Sequence, residues 1–236
     1  MRYKTVAVQG IIGSGKTQLA QELAPALGDD TLLILEPDEK QNANPYLAWY
    51  YKDEESRKRW GFTMQVHMLG MRFRQQLDAQ WYVLNGRGNA VLDSSYYADT
   101  CYARMLFRMG IVTKEEYETY CSLYQSMTAH ILLPNAIVRT LVKPETARHR
   151  ISKRMEKQEG RKPEKTIDVD YLNALNREID QMTDVLEKRG VKIYTVPWDA
   201  DRDSVEQRQS TVEALAVWIR SLEPVDGLLD LHRRTT

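Results

Sequence analysis

The sequence predicts an α/β domain: a five-stranded parallel sheet with helices on both faces. Three observations predict it. Short aliphatic runs alternate with longer stretches of helical periodicity, the pattern of repeated βαβ units. The first aliphatic run ends in a glycine-rich turn that opens a helix. The chain has 236 residues, enough for one α/β unit with a sizeable core.

The strands come first. Tyr3–Gln9, Thr31–Leu35, Ala90–Asp93, Ala136–Val142 and Lys192–Val196 are short and mostly aliphatic, as strands covered on both faces should be. A helix is expected from Gly15 to roughly Ala24. A long one follows from Arg57 to Leu84, with Trp60, Met64, Met68, Met71, Trp81 and Leu84 at helical spacing as its core stripe. Thr113 with Glu116 three residues on forms a capping-box pattern that opens the next helix. Asp168 opens a helix with the stripe Leu172, Leu175, Ile179, Met182 and Leu186, closed by Gly190. Asp203 opens the last, which carries Val212, Leu215, Ile219 and Leu222. No repeat, low-complexity run or linker divides the chain. One domain, residues 1–223, is expected, with a frayed tail at 224–236.

Lys plus Arg number 33 and Asp plus Glu number 33, which argues against a nucleic-acid surface, since such a surface needs a basic excess. Cys101 and Cys121 form neither a disulfide framework nor a CxxC pair, so a reducing cytoplasm suits the chain. No secretion signal is read at the N-terminus, and no apolar run has the roughly 18 residues a membrane span needs.

The chemistry begins at residues 10–17, Gly-Ile-Ile-Gly-Ser-Gly-Lys-Thr. This is the G-x-x-x-x-G-K-T phosphate loop, set after a strand and opening a helix, as its mechanism requires. Gly10, Gly13 and Gly15 let backbone N–H groups turn inward around phosphate oxygens beside Ser14, and the helix N-terminus adds partial positive charge. Lys16 is expected to reach the β- and γ-phosphates of ATP, and the Thr17 hydroxyl to coordinate Mg²⁺. The fold class is accordingly the P-loop NTPase fold. In an open parallel sheet, ligands sit outside the carboxyl ends of the strands. Glu36 directly follows the second strand and Asp93 closes the third. Glu36 is the candidate general base and Asp93 the candidate magnesium or water-shell acid; either could instead cap the start of the next helix.

Several segments resemble the deoxynucleoside kinase family: the phosphate loop; Leu35-Glu36-Pro37; Arg59-Trp60-Gly61-Phe62-Thr63-Met64-Gln65, which is similar to R-W-x-F-T-x-Q; and Asp93-Ser94-Ser95-Tyr96-Tyr97-Ala98-Asp99, which is similar to D/E-R-S-x-Y-x-D. The resemblance runs from the first strand to about Asp203. It implies that Glu36 is the base for a sugar 5′-hydroxyl, that Tyr51 contacts the 3′-hydroxyl, and that Gln65, Arg72 and Asp99 surround the nucleobase. The Arg72–Asp99 combination implies dC, dA or dG in preference to thymidine.

Three positions depart from the family pattern. Ser94 stands where the family has an Arg, which removes a cation from where charge develops. Gln41 stands where a Trp is usual. The stretch after the fourth strand is longer. That stretch, about 144–166, reads as a cationic lid. Arg150 and Arg154 align with the family's lid arginines, and one of them could occupy the space beside Ser94. Glu159 is the candidate lid acid for the sugar. Pro197-Trp198-Asp199-Ala200-Asp201 falls where the family cradles adenine. The expected activity is transfer from ATP to a deoxynucleoside, with ATP and Mg²⁺ as cofactors, no membrane partner, and a homodimer formed through the helices at 57–84 and 98–109. A nucleoside monophosphate kinase and a non-catalytic assembly subunit are the alternatives.

Overall fold

The structure, a computed structural model, describes residues 3–36, 44–157, 164–199 and 204–223. Among these, the five strands are β1 (Thr5–Gln9), β2 (Leu32–Ile34), β3 (Ala90–Asp93), β4 (Ala136–Leu141) and β5 (Lys192–Pro197). They form one parallel sheet in the order β2-β3-β1-β4-β5. β1 lies at the centre and is buried along its whole length, which explains its unbroken apolar run. β5, at an edge, is largely exposed.

Eight α-helices complete the described fold: α1 (Lys16–Leu27), α2 (Leu47–Tyr50), α3 (Glu54–Leu84), α4 (Asp99–Arg108), α5 (Lys114–Thr128), α6 (Pro144–Lys157), α7 (Val169–Lys188) and α8 (Val205–Ser221). A short 3₁₀ turn, Tyr96–Ala98, precedes α4. The two-residue period of β3 divides its side chains between layers. Ala90 and Leu92 pack with Ala79 and Val83 of α3, whereas Val91 joins the main core. α1 packs on α8, while α4 lies between α3 and α7. No described helix is long and apolar enough to cross a membrane.

The caps follow the sequence chemistry. Thr113 and Glu116 form the reciprocal capping box that opens α5. Asp168 accepts from Tyr171 N at 2.8 Å and opens α7. The five-residue stripe of α7 is buried as expected. The N-cap of α8 is Ser204, not Asp203, which lies outside the described residues. α1 runs three residues beyond Ala24, through Pro25, and ends at Gly28, whose N–H bonds to Pro25 O.

The long helix α3 departs from expectation. Trp81 and Leu84 are not core residues; they are 59% and 44% exposed. Its buried positions instead include Gln65, Arg72, Gln76 and Gln80 alongside Met64, Leu69, Ala79 and Val83. Trp60, Met68 and Met71 are only partly buried. A purely apolar stripe fails here because this face covers strand ends and loops whose polar groups need partners. Gln80 shows the reason directly: its amide donates to His130 O at 3.1 Å and accepts from Leu132 N at 2.9 Å, satisfying a buried loop.

Leu175→Ala in α7 is expected to cost about 2–5 kcal/mol. Trp81→Gln, at the exposed end of the α3 stripe, should stay within about 0.5 kcal/mol of wild type. Urea unfolding midpoints check both, and a larger loss for Trp81→Gln would contradict its exposure.

Candidate active site

β1, the central strand, delivers the phosphate loop to the carboxyl edge of the sheet. Gly13 and Gly15 adopt positive φ, 80° and 83°. A Cβ on Gly13 would lie 2.6 Å from Ala147 O on α6, and one on Gly15 would lie 2.8 Å from Trp198 Nε1, so contact as well as conformation excludes side chains. Gly10 packs against Thr140 and Ser14. The Thr140 hydroxyl, on neighbouring β4, donates to Gln9 O at 3.0 Å and pairs with Ser14 Oγ at 2.9 Å, tying the turn to the sheet. No side chain caps the N-terminus of α1. The first N–H groups of a helix have no partner within it, and uncapped ones are suited to gripping an anion.

β3 sits beside β1 in register, Val8 opposite Asp93, and brings Asp93 to this turn. The Thr17 hydroxyl donates to Asp93 Oδ2 at 2.5 Å, while the buried Oδ1 has no hydrogen-bond partner. Burial pushes the Asp93 carboxyl above the usual range; the charge of Lys16 opposes that shift and Glu36 adds to it. A hydroxyl and an orphaned carboxylate oxygen side by side next to a phosphate loop are the oxygen donors that Mg²⁺ takes from a protein.

The second group gathers around Arg72, which projects from α3. Its guanidinium forms ion pairs with Glu36 and with Asp99, and lies 5.2 Å from the Tyr102 ring centroid. Asp99 is fully buried. It also accepts from Gln65 Nε2 and from the Tyr120 hydroxyl, each at 2.7 Å. Burial raises the Asp99 carboxyl, against the lowering effects of Arg72, Tyr120 and Gln65. For Arg72, burial works against the charge, but Glu36 and Asp99 outweigh it and hold the guanidinium protonated. Gln75 donates to Leu35 O at 2.8 Å and so pins the end of the segment that carries Glu36.

The third group lies beside α6 and residues 164–166, the described parts of the segment expected to be the lid. Tyr51 is buried against Tyr50, ring centroids 4.7 Å apart, and the Thr166 hydroxyl donates to its carbonyl. Burial pushes the Tyr51 hydroxyl well up. A cavity of about 610 Å³ opens here between α2 and α6, lined by Tyr51, Lys52, Ser152, Met155, Glu156 and Lys165. Arg150 donates to Trp198 O at 2.8 Å and Asp199 O at 3.4 Å, and reaches Ser14 O at 3.5 Å. Arg154 pairs with the buried Glu164 at 2.6 Å.

The sequence-expected residues thus fall into connected groups: Lys16, Thr17 and Asp93; Glu36, Gln65, Arg72 and Asp99; and Tyr51 with the lid. Arg150 bonds to the Trp198–Asp199 segment and Arg154 to Glu164, while Arg72 pairs with Glu36. Pro37, Gln41, Glu159, Ala200 and Asp201 lie outside the described residues. Sequence reasoning missed Glu164 as a site residue, although it stands close enough to raise the Tyr51 hydroxyl further. Spacing alone does not separate it from Glu156 and Glu159. It also missed Tyr102 and Tyr120. Tyr102, three residues after Asp99 on α4, shares a helix face with it, a signal that spacing does offer.

A family model described as deoxynucleoside kinase matches residues 6–220. The chain belongs to the deoxynucleoside kinase family. Within that family it is 32% identical over 194 residues to a deoxyadenosine kinase of Dictyostelium discoideum, covering 82% of this chain and 71% of the relative. It is 27% identical over 217 residues to a deoxyguanosine kinase of Bacillus subtilis, covering 92% and 96%. The family fold extends to a solved deoxyadenosine kinase from M. mycoides, with a TM-score of 0.72 at 24% identity, covering 92% of this chain and all of that one.

Asp93 carries a linked stability prediction. Its carboxyl is raised in the fold, so the native state binds the proton more tightly than the unfolded chain does. Stability falls as pH rises from the ordinary Asp range through the raised value, and the cost persists at neutral pH. Asp93→Asn should therefore raise the melting temperature of the ligand-free protein at pH 7. The gain should shrink as the pH is lowered towards the ordinary Asp range. Melting across a pH series checks this, and a lower melting temperature at pH 7 would contradict it.

Proposed function

We propose that this protein transfers the γ-phosphoryl group of ATP to the 5′-hydroxyl of a deoxynucleoside, taking dA, dC or dG in preference to thymidine. The observation that carries the reading is the position of Glu36. It leaves β2 at the same edge of the sheet as the phosphate loop, and its charge is felt by Asp93, which Lys16 and Thr17 also reach. A carboxylate next to a triphosphate cradle can take the proton of an attacking hydroxyl. The named activities of the relatives, deoxyadenosine and deoxyguanosine kinases, support a purine acceptor.

In this reading the loop N–H groups and Lys16 hold the β- and γ-phosphates. Glu36 accepts the 5′-hydroxyl proton as the acceptor oxygen bonds to γ-phosphorus and the bond to the ADP oxygen breaks. Gln65, Arg72 and Asp99 bind the nucleobase edge. The Gln65 amide both donates and accepts, which suits more than one base. Tyr51 and Glu164 face the far side of the sugar, under the lid. Arg150 bridges α6, the phosphate loop and the Trp198–Asp199 segment, so it links lid closure to the donor nucleotide; Arg154 lies further along the lid. Thr17 and Asp93 would hold Mg²⁺, which when bound neutralises charge on the phosphate oxygens. In this reading two copies of the chain pair through α3 and α4, the homodimer that the family resemblance implies. The free thiols Cys101 and Cys121 suit a reducing cytoplasm.

ATP consumption measured with deoxynucleosides, ribonucleosides and their monophosphates tests the assignment. Deoxyadenosine, deoxyguanosine or deoxycytidine should give the highest kcat/KM, and preferential turnover of monophosphates would overturn it. Glu36→Gln should lower kcat by about a hundredfold or more, the scale of a lost general base. Lys16→Ala should remove turnover while leaving the melting temperature within a few degrees of wild type.

A further inference from the structure

The chain of charges Glu36–Arg72–Asp99 does more than line an acceptor pocket. Arg72 is 5% exposed, with one guanidinium nitrogen on Glu36 Oε1 and another on Asp99 Oδ1. The Asp99 end is rigid. Asp99 begins α4, is fully buried, and is held by Tyr120 and Gln65 as well as by Arg72. Tyr102 covers the guanidinium from the same helix. The Glu36 end is different. Glu36 is 31% exposed and stands at the end of a three-residue strand. A planar guanidinium fixed on a buried carboxylate is a rigid fork, and the second carboxylate it grips takes its orientation from that fork.

The surroundings sharpen the need. Glu36 is paired with Arg72 from α3, and its charge is felt by Tyr102 on α4 and by Asp93 on β3; Asp99 and Lys16 act on Arg72 and Asp93 in turn. Asp93 and Glu36 repel, and the Arg72 guanidinium offsets that repulsion at Glu36. β2 and β3 pair Ile34 with Leu92, and just beyond the two strand ends stand Glu36 and Ser94, the latter carrying no charge. Both lid arginines bond elsewhere.

We infer that Arg72 is the positioning residue for Glu36: anchored on Asp99, its guanidinium aims the carboxylate at the acceptor hydroxyl, whichever base the acceptor carries. The inference rests on Glu36 being the proton acceptor. Nucleobase recognition and proton-acceptor alignment then share one side chain.

The test is Arg72→Lys, which keeps the charge but cannot grip both carboxylates. It is assayed at saturating acceptor with every deoxynucleoside that the wild type phosphorylates, alongside KM for ATP and the melting temperature. Expected is a fall in kcat of about tenfold or more, by the same factor for every base, with KM for ATP unchanged. Should Arg72→Lys fail to fold, Arg72→Met with Asp99→Asn, which removes both charges of the buried pair, takes the same assay. A kcat within twofold of wild type for any acceptor, or a loss confined to bases whose KM also rises, would overturn the inference and leave Arg72 as a base contact only. A wild type that phosphorylates no deoxynucleoside would instead defeat the functional reading itself.

Discussion

A carboxylate removed from water needs a cation or several donors beside it, and this requirement organises the working edge of the sheet. Glu36, Asp93 and Asp99 stand at or just beyond the ends of β2 and β3. Arg72, Lys16, Thr17, Gln65 and Tyr120 answer them. Asp93 Oδ1 is left buried with no hydrogen-bond partner next to the phosphate loop. That shortfall costs the ligand-free fold stability, and in the proposed reading a bound metal ion would answer it.

The same requirement explains why a 31-residue helix buries glutamines and an arginine. α3 crosses the sheet from the lid side to the far edge, and its content changes as it goes. Near the crevice it presents Gln65 and Arg72 to Asp99 and Glu36. Further along, Gln75 and Gln80 bond loop carbonyls while Ala79 and Val83 pack on β3. A helix that lines a pocket follows the chemistry of the pocket, so its inner face need not be apolar.

Much of the fold was legible because it is set locally. The alternation of aliphatic runs and helical stretches, the capping pair Thr113 and Glu116, Asp168 at the start of α7, and the glycines of the phosphate loop each act within a few residues. The α3 stripe was not legible. Periodicity marks which residues share a face, but not whether that face meets apolar strands or polar strand ends, and Trp81 and Leu84 stand on the face turned away from β3, which Ala79 and Val83 cover. Glu164 escaped for a similar reason: three acids crowd the lid sequence, and only the chain's return towards Tyr51 and Arg154 singles one out.

The sequence by itself determined the parallel α/β framework, the phosphate loop with Lys16 and Thr17, and the two acids that follow strands, because hydrogen-bond geometry and side-chain volume act between near neighbours along the chain. Tertiary structure alone decided which cation each acid meets. Arg72 reaches Glu36 across 36 residues and Asp99 across 27, and the lid arginines turn to Trp198 and Glu164 instead. Those pairings are selected by the cost of leaving a desolvated charge unanswered, a sum over everything nearby in space that no local stretch of sequence contains.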